Sequence, residues 1–352
     1  METMFRLPVE DLDHVLAHTG AVWEKLRGQT LFITGGTGFV GLWLAESLLW
    51  ANDRLDANIR VVMLSRDPTR FSVQMPQVAG HGSVRMLPGR AESFAFPEGE
   101  FPLVIHAATA AHHPPTPECP VSAFDADLLA TRRVLEFART HGARRVLFTS
   151  SGAVYGQQPP GLPAIAEDFA GAPLTTDTAT SYGQAKRISE FLCAAYARQC
   201  GFAALIARLF TFVGPRLPLN AHYAVGNFIR DALRGGPVRI AGDGTAQRSY
   251  LYAADMAIWL WTILACGSPA RPYNVGSPQA LTIRELAQTV VEVICPGAAI
   301  EIAGQPGVSR SHYLPSTHRA EAELGLRART ALPEALQRTC AWHRRCGTTG
   351  EA

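Results

Sequence analysis

The chain has 352 residues, 47% of them apolar and 18% charged, with a formal net charge of +2. This exceeds a typical domain of about 100–200 residues, so one large lobe and a smaller one are expected, and the balanced charge gives no sign of a nucleic-acid or membrane partner. Seven scattered cysteines with no Cys-x-x-Cys pair argue for reduced thiols and against a disulfide framework or a zinc site. Residues 1–13 carry acidic side chains and no apolar leader core. The most apolar late stretch, 257–266, is far short of the roughly 20 residues a membrane span needs. The expectation is a soluble, cytoplasmic protein.

Val9, Leu12, Val15, Leu16, Trp23 and Leu26 follow helical spacing, which places a helix ahead of the first strand. His14 and His18 stand four apart on it; with no third ligand in view they read as a solvated helix face, not a metal site. Strands are predicted at 30–33, 59–64, 83–87, 103–107, 145–149 and 203–208, and long helices at 125–140 and 181–200. Strands alternating with helices of this length imply an α/β fold with a mostly parallel, doubly wound sheet. After Phe210 the pattern loosens into short helices (225–233, 255–265, 283–293) punctuated by proline and glycine, which reads as a smaller α/β lobe.

Between the first strand and the helix after it lies Thr34-Gly35-Gly36-Thr37-Gly38-Phe39-Val40-Gly41. A glycine-rich turn in that context is the Rossmann-type dinucleotide fingerprint. Gly35 permits the tight turn, Gly38 lets a pyrophosphate approach the backbone, and Gly41 lets the helix pack on the strand. The helix N-terminus then offers N–H groups and a positive dipole end to the phosphates. Further along, Tyr182 and Lys186 stand four apart at the start of a predicted helix and share one face. An ammonium beside a phenol favours the phenolate, so the spacing predicts a tyrosine able to accept a proton near neutral pH. The fifth strand ends at Thr149-Ser150-Ser151, at the strand edge where open α/β sheets bind ligands, and Ser151 is the candidate hydrogen-bond partner of the reacting oxygen.

In this order the motifs resemble the extended short-chain dehydrogenase/reductase superfamily, in its nucleotide-sugar epimerase/dehydratase branch. The resemblance implies a Rossmann-type dinucleotide domain (28–210) behind an N-terminal helical extension (1–27). It also implies a mainly substrate-binding lobe (211–352), some segments of which return to the first domain. His106, Ala107 and Ala108 resemble the fourth-strand segment lining the nicotinamide side, and Thr149 and Phe210 fall in cofactor-lining positions. Arg248 matches the arginine that holds a sugar nucleotide's pyrophosphate. Thr211 stands where the family usually has a substrate-contacting asparagine, a role for which Asn227 is the alternative amide unless it caps a helix. Segment 319–326 resembles the late helix preceding a final amphipathic one. Two helices of the superfamily often pair across a twofold, so a homodimer through 125–140 and 181–200 is one expectation.

Departures from the family pattern decide the expected reaction. Relatives that eliminate water carry Thr-Asp-Glu where this chain has Ser151, Gly152 and Ala153, so both carboxyls are missing. A loop of small residues resembles the C4 epimerases, with Ser151 and Gly152 against the sugar. A 4-keto-sugar reductase uses the same residues and remains open; a sugar-acid decarboxylase is weakened by the missing glutamate at Ala153, and a non-catalytic binding module by the retained Tyr182 and Lys186. Glu167 and Asp168, beyond a proline-rich stretch, are expected at the rim. At the end of the second strand, Ser65 replaces the acidic residue that binds the NAD ribose, and Arg66 follows. That leans toward NADP within NAD(P). Arg90 replaces an aspartate that relatives often place beside the adenine, so it is a candidate cofactor contact.

Overall fold

The computed structural model describes residues 5–109, 120–221, 223–305 and 311–347. Residues 1–4 of the extension, 348–352 of the last lobe and Cys119 lie outside them. Two helices, α1 (Val9–His18) and α2 (Gly20–Leu26), come first. The next elements are β1 (Thr30–Thr34), α3 (Phe39–Leu55), β2 (Arg60–Ser65), α4 (Pro68–Gln74), α5 (Pro76–Ala79), β3 (Val84–Pro88) and β4 (Leu103–His106). Then come α6 (Pro120–Thr140), β5 (Arg145–Ser151), α7 (Ser181–Cys200) and β6 (Ala203–Leu209). The remainder holds β7 (Phe212–Val213), α8 (Ala224–Leu233), β8 (Val238–Ile240), β9 (Gln247–Arg248), β10 (Leu251–Tyr252) and α9 (Ala253–Cys266). It closes with β11 (Pro272–Val275), β12 (Leu281–Thr282), α10 (Ile283–Ile294), β13 (Ile300–Ile302), β14 (His312–Tyr313), α11 (His318–Leu324) and α12 (Leu332–Arg345).

Seven strands form one parallel sheet in the order β11-β6-β5-β4-β1-β2-β3. The expected α/β class is therefore observed. Strand order reverses between β1 and β4, and a crevice opens outside the carboxyl ends at such a switch point. Register brings those ends level: Thr34 pairs with His106, and His106 with Phe148. Alternation along the strands feeds two cores. Leu31 and Ile33 face α3 and α9, whereas Phe32 joins Phe94, Phe101, Phe137 and Phe148 on the side of α6 and α7.

The single leading helix predicted from periodicity is two helices, broken at Thr19, which leaves helical geometry at φ −129° and ψ 17° before Gly20. Trp23 is fully buried against Trp261 of α9, ring centroids 5.0 Å apart. Asp11, also buried, accepts from Tyr252 at 2.6 Å and Arg338 at 2.6 Å, which ties the N-terminal segment to α12. His14 is 3.1 Å from Asp255, and the rings of His14 and His18 lie 4.5 Å apart, tilted by 52°. No group of three or more metal-ligating side chains forms among the described residues, whose six cysteines are free thiols. Among them no helix is long and apolar enough to cross a membrane.

Candidate active site

Gly35 has φ +70°, and a Cβ there would lie 2.4 Å from the Ala107 carbonyl carbon, so the turn needs glycine on both counts. A Cβ on Gly41 would lie 2.2 Å from Gly35 O, which fixes how closely α3 seats on the turn. Gly38 is the N-cap of α3 and no side chain caps it, so the first-turn N–H groups of Phe39, Val40 and Gly41 have no side-chain partner. With Thr37 in the turn, this is a cradle for a diphosphate. It fits the dinucleotide implied by the motif. At the end of β2, Ser65 is buried and accepts from Asp67 N at 3.2 Å. Asp67 caps α4 by accepting from Arg70 N at 2.9 Å, so its carboxylate is engaged in the cap. Arg66 is exposed; Arg90 is paired with Glu92 at 2.5 Å, while Ala107 and Ala108 close the other side of the turn.

His106 departs from the reading as a cleft-lining side chain. It is buried behind the site, with Nδ1 2.8 Å from Thr34 Oγ1 and Nε2 3.2 Å from Thr131 Oγ1. Thr131 donates to Asp127 O at 2.9 Å, so Nε2 carries the imidazole proton and Nδ1 accepts from Thr34. Ser189 of α7, 3.0 Å from Thr131 Oγ1, completes a buried chain linking the glycine-turn strand to the Tyr182/Lys186 helix. Thr149 also faces inward, donating to His106 O at 3.2 Å, and its carbonyl accepts from Lys186 Nζ at 3.1 Å.

Lys186 is buried, its Nζ 4.8 Å from the Phe148 ring centroid and 5.8 Å from that of Tyr182. Tyr182 is nearly enclosed, with Ser151 close enough to act on its phenol. The spacing predicts a phenol lowered by the lysine, and the structure corrects this. Burial pushes Tyr182 well above its ordinary value; the Ser151 hydrogen bond opposes, and Tyr313, Asp127 and Tyr223 raise it further. Burial also lowers Lys186, against the charge of Asp127. The ammonium is aimed at the Thr149 carbonyl, which is why its effect on the phenol is small. Tyr182 thus keeps its proton near neutral pH in this arrangement.

Ser151 caps a short 3-10 turn, Gly152–Tyr155, and accepts from Ala153 N at 3.2 Å. Over it lies Tyr313 of β14, unforeseen from the sequence. A Cβ on Gly152 would meet Tyr313 Oη at 2.6 Å and Phe210 Cζ at 2.7 Å. Phe210, read as a cofactor residue, packs its ring on Tyr313 (centroids 4.6 Å) and Tyr155 (6.4 Å), in the wall beneath Gly152. Arg248 pairs with Tyr313 across β9 and β14, its guanidinium 6.0 Å from the ring centroid, and donates to Ser311 O at 3.0 Å. Two substrate candidates are occupied elsewhere. Thr211 donates to Ser249 O at 2.5 Å, and Asn227, inside α8 and not at its cap, accepts from Arg230 at 3.0 Å. Glu167 is buried, not at the rim: it accepts from Asn274 N at 2.9 Å and lies 3.8 Å from Arg319. Asp168 is exposed.

A parallel sheet with a glycine-cradled helix N-terminus, and a Ser/Tyr/Lys group at the adjoining strand ends, defines a dinucleotide-dependent enzyme of the extended short-chain dehydrogenase/reductase superfamily. The chain belongs to the NAD dependent epimerase/dehydratase family, whose model matches residues 31–276. It is 29% identical over 306 residues to UDP-glucuronic acid decarboxylase 6 of Arabidopsis thaliana, covering 87% of this chain and 86% of that one. It shares its fold with the UDP-glucuronic acid 4-epimerase of Bacillus cereus, solved with UDP-glucuronic acid and NAD. The TM-score is 0.77 at 18% identity over 90% of this chain and 99% of that one. The dTDP-glucose 4,6-dehydratase of Streptomyces venezuelae, solved with NAD, aligns at TM-score 0.76 and 23% identity, over 90% and 97% of the two chains.

Proposed function

We propose that the chain is a 4-epimerase of a nucleotide hexose, working through a 4-keto sugar. The observation that carries this reading is the strand-end loop Ser151-Gly152-Ala153, which has a hydroxyl beside Tyr182 but no carboxylate to drive elimination. Glu167, the nearest buried substitute in sequence, is engaged by Asn274 and faces Arg319. A dinucleotide held at residues 35–41 would supply the hydride-transfer chemistry at C4. Tyr182 exchanges the O4 proton, Ser151 hydrogen-bonds O4, and Lys186 holds the ribose. Arg248 takes the diphosphate, and the small side chains of Ser151-Gly152-Ala153 put no carboxylate against the ketone. The binding cradle is assigned to residues 35–41, Ser65, Arg66 and Ala107-Ala108, with His106 and Thr149 supporting it from behind. Exposed apolar side chains on α6 (Leu129, 54% exposed) and α7 (Phe191, 70%) support a homodimer through these helices. A cytoplasmic setting agrees with the free thiols.

A second reading, an NADPH-dependent 4-ketoreductase, is favoured by two observations. Tyr182 is held in its protonated, proton-donating form, and the end of β2 presents Arg66 with no free carboxylate. Mass spectrometry of the product from 6-hydroxylated nucleotide hexoses and their 4-keto forms separates the readings. Epimerisation leaves the mass unchanged, and reduction adds two hydrogens. A product lighter by one water would overturn both, and loss of CO2 from a nucleotide uronate would place the chain with its decarboxylase relatives.

The NADP preference rests on Arg66. Arg66→Asp replaces a phosphate-pairing guanidinium with a repelling carboxylate, so NADP binding should weaken roughly tenfold or more relative to NAD. Equal changes in the two dissociation constants would show that Arg66 does not meet the 2′-phosphate.

A further inference from the structure

Successive turns of α7 grip successive residues at the carboxyl end of β5. A Cβ on Gly183 would lie 2.7 Å from Ala153 O, so the first turn rests directly on the backbone beyond the strand. Lys186 donates to Thr149 O at 3.1 Å, and Arg187 to Val154 O at 3.2 Å and Gly171 O at 3.0 Å. One turn beyond Lys186, on the same face, Glu190 is buried and accepts from Ser150 Oγ at 2.5 Å. Tyr182, Lys186 and Glu190 therefore form one column, four residues apart. The last of them is tied to the strand residue between Thr149 and Ser151.

The Glu190 carboxylate is not free to turn. Arg208 of β6 grips both of its oxygens, Nε to Oε1 at 2.9 Å and Nη2 to Oε2 at 2.7 Å. A planar guanidinium with two donors on one carboxylate fixes direction as well as charge. Arg208 pairs in register with Ser150, so neighbouring strands hold the same carboxylate. Its Nη1 donates to Tyr155 Oη at 2.8 Å and Glu167 O at 3.1 Å, and Tyr155 donates in turn to Asn274 Oδ1 at 2.7 Å. The clamp is thus braced from β11 and from the loop after β5.

We propose that Glu190 is a positioning residue for the reaction at O4. The Ser150–Glu190–Arg208 clamp sets the height of α7 on β5, and with it the reach of Tyr182 and Lys186 to the strand end. The inference rests on the reading of Tyr182 as the group that exchanges the O4 proton and of Lys186 as the ribose holder. With both oxygens engaged behind the strand end, Glu190 acts through these two side chains and not on substrate.

In the full chain, Ser150→Ala cuts the tether and leaves the Glu190–Arg208 pair whole. It should lower kcat roughly three- to tenfold, the worth of one hydrogen bond. Dinucleotide binding should weaken by a similar factor, because Lys186 moves with the helix, while KM for the nucleotide hexose stays unchanged. Ser150→Thr keeps the hydroxyl and should restore both. Glu190→Gln also strips Arg208 of its countercharge, so its urea midpoint should fall further. Its kcat loss should not grow when Ser150→Ala is added, since both break one tether. If Glu190→Gln does not fold, Ser150→Ala and Ser150→Thr decide alone. Wild-type kcat and dinucleotide affinity in Ser150→Ala, losses that Ser150→Thr leaves in place, or a KM rising as kcat falls would each overturn the positioning role. The dinucleotide dissociation constant of Ser150→Ala needs no turnover, so it separates failure of the clamp from failure of the reading of Tyr182, which wild-type turnover in Tyr182→Phe would expose.

Discussion

Tyr182→Phe should fold, bind the dinucleotide and lose turnover by roughly 10²–10⁴-fold, the contribution of a positioned acid or base. The ring over which Lys186 lies is retained, so the lysine's hydrogen bond to the Thr149 carbonyl survives. What disappears is the phenol hydroxyl proposed to exchange the O4 proton. The direction of its pKa adds a test that a packing role would not meet. Because burial holds the phenol above its ordinary value, the ionised form is scarce and is lost further as pH falls. Oxidation of a 4-hydroxyl should therefore speed up with rising pH, while reduction of a 4-ketone should hold at low pH and decline only as the phenol ionises. Steady-state kcat in both directions, for wild type and variant, is the measurement. A variant keeping more than about a tenth of wild-type kcat, a barrier change under roughly 1.4 kcal/mol, would remove Tyr182 from the proton transfer.

Local chemistry was legible in the sequence and long-range placement was not. The glycine run declared itself because φ at Gly35 and the close approach at Gly41 each exclude a side chain, and both needs are met within eight residues. Tyr182 and Lys186 were readable as one helix face, but four-residue spacing says nothing of where a flexible ammonium points; Thr149, on another element, decides that. His106 was misread although a signal existed. It shares strand parity with Val104, which faces α6 and α7, so its side chain had to turn into that core. Tyr313 was out of reach. Nothing near it in sequence marks it, and only the pairing of β14 with β9, and the missing side chain at Gly152, bring it over that loop. Likewise β11, a four-residue strand that follows α9, joins the sheet beside β6, and no strand was read there from the sequence.

The buried His106 chain makes the fold acid-sensitive in a defined window. Thr34 and Thr131 saturate a neutral imidazole, Thr131 already commits its own proton to Asp127 O, and Ser189 bonds Thr131 behind it. Burial first, and the nearby Lys186 charge second, push His106 from 6.5 down to about 3. The folded pKa lies below the unfolded one, so between these values the unfolded chain binds the extra proton, and stability falls as pH falls. The slope approaches about 1.4 kcal/mol per pH unit, so this residue alone removes about 2 kcal/mol between pH 7.5 and 5.0. His106→Gln offers a donor and an acceptor but no titration. It should be less stable than wild type at pH 7.5, because its shape fits the chain less well, yet lose less on acidification. Urea midpoints of the two proteins at pH 7.5, 6.5, 5.5 and 5.0, without added dinucleotide, give the two slopes. Parallel slopes would mean that His106 titrates normally and that the buried chain opens to water. A wild-type slope steeper by about 1 kcal/mol per pH unit below pH 6 would place the proton-linked penalty on this imidazole.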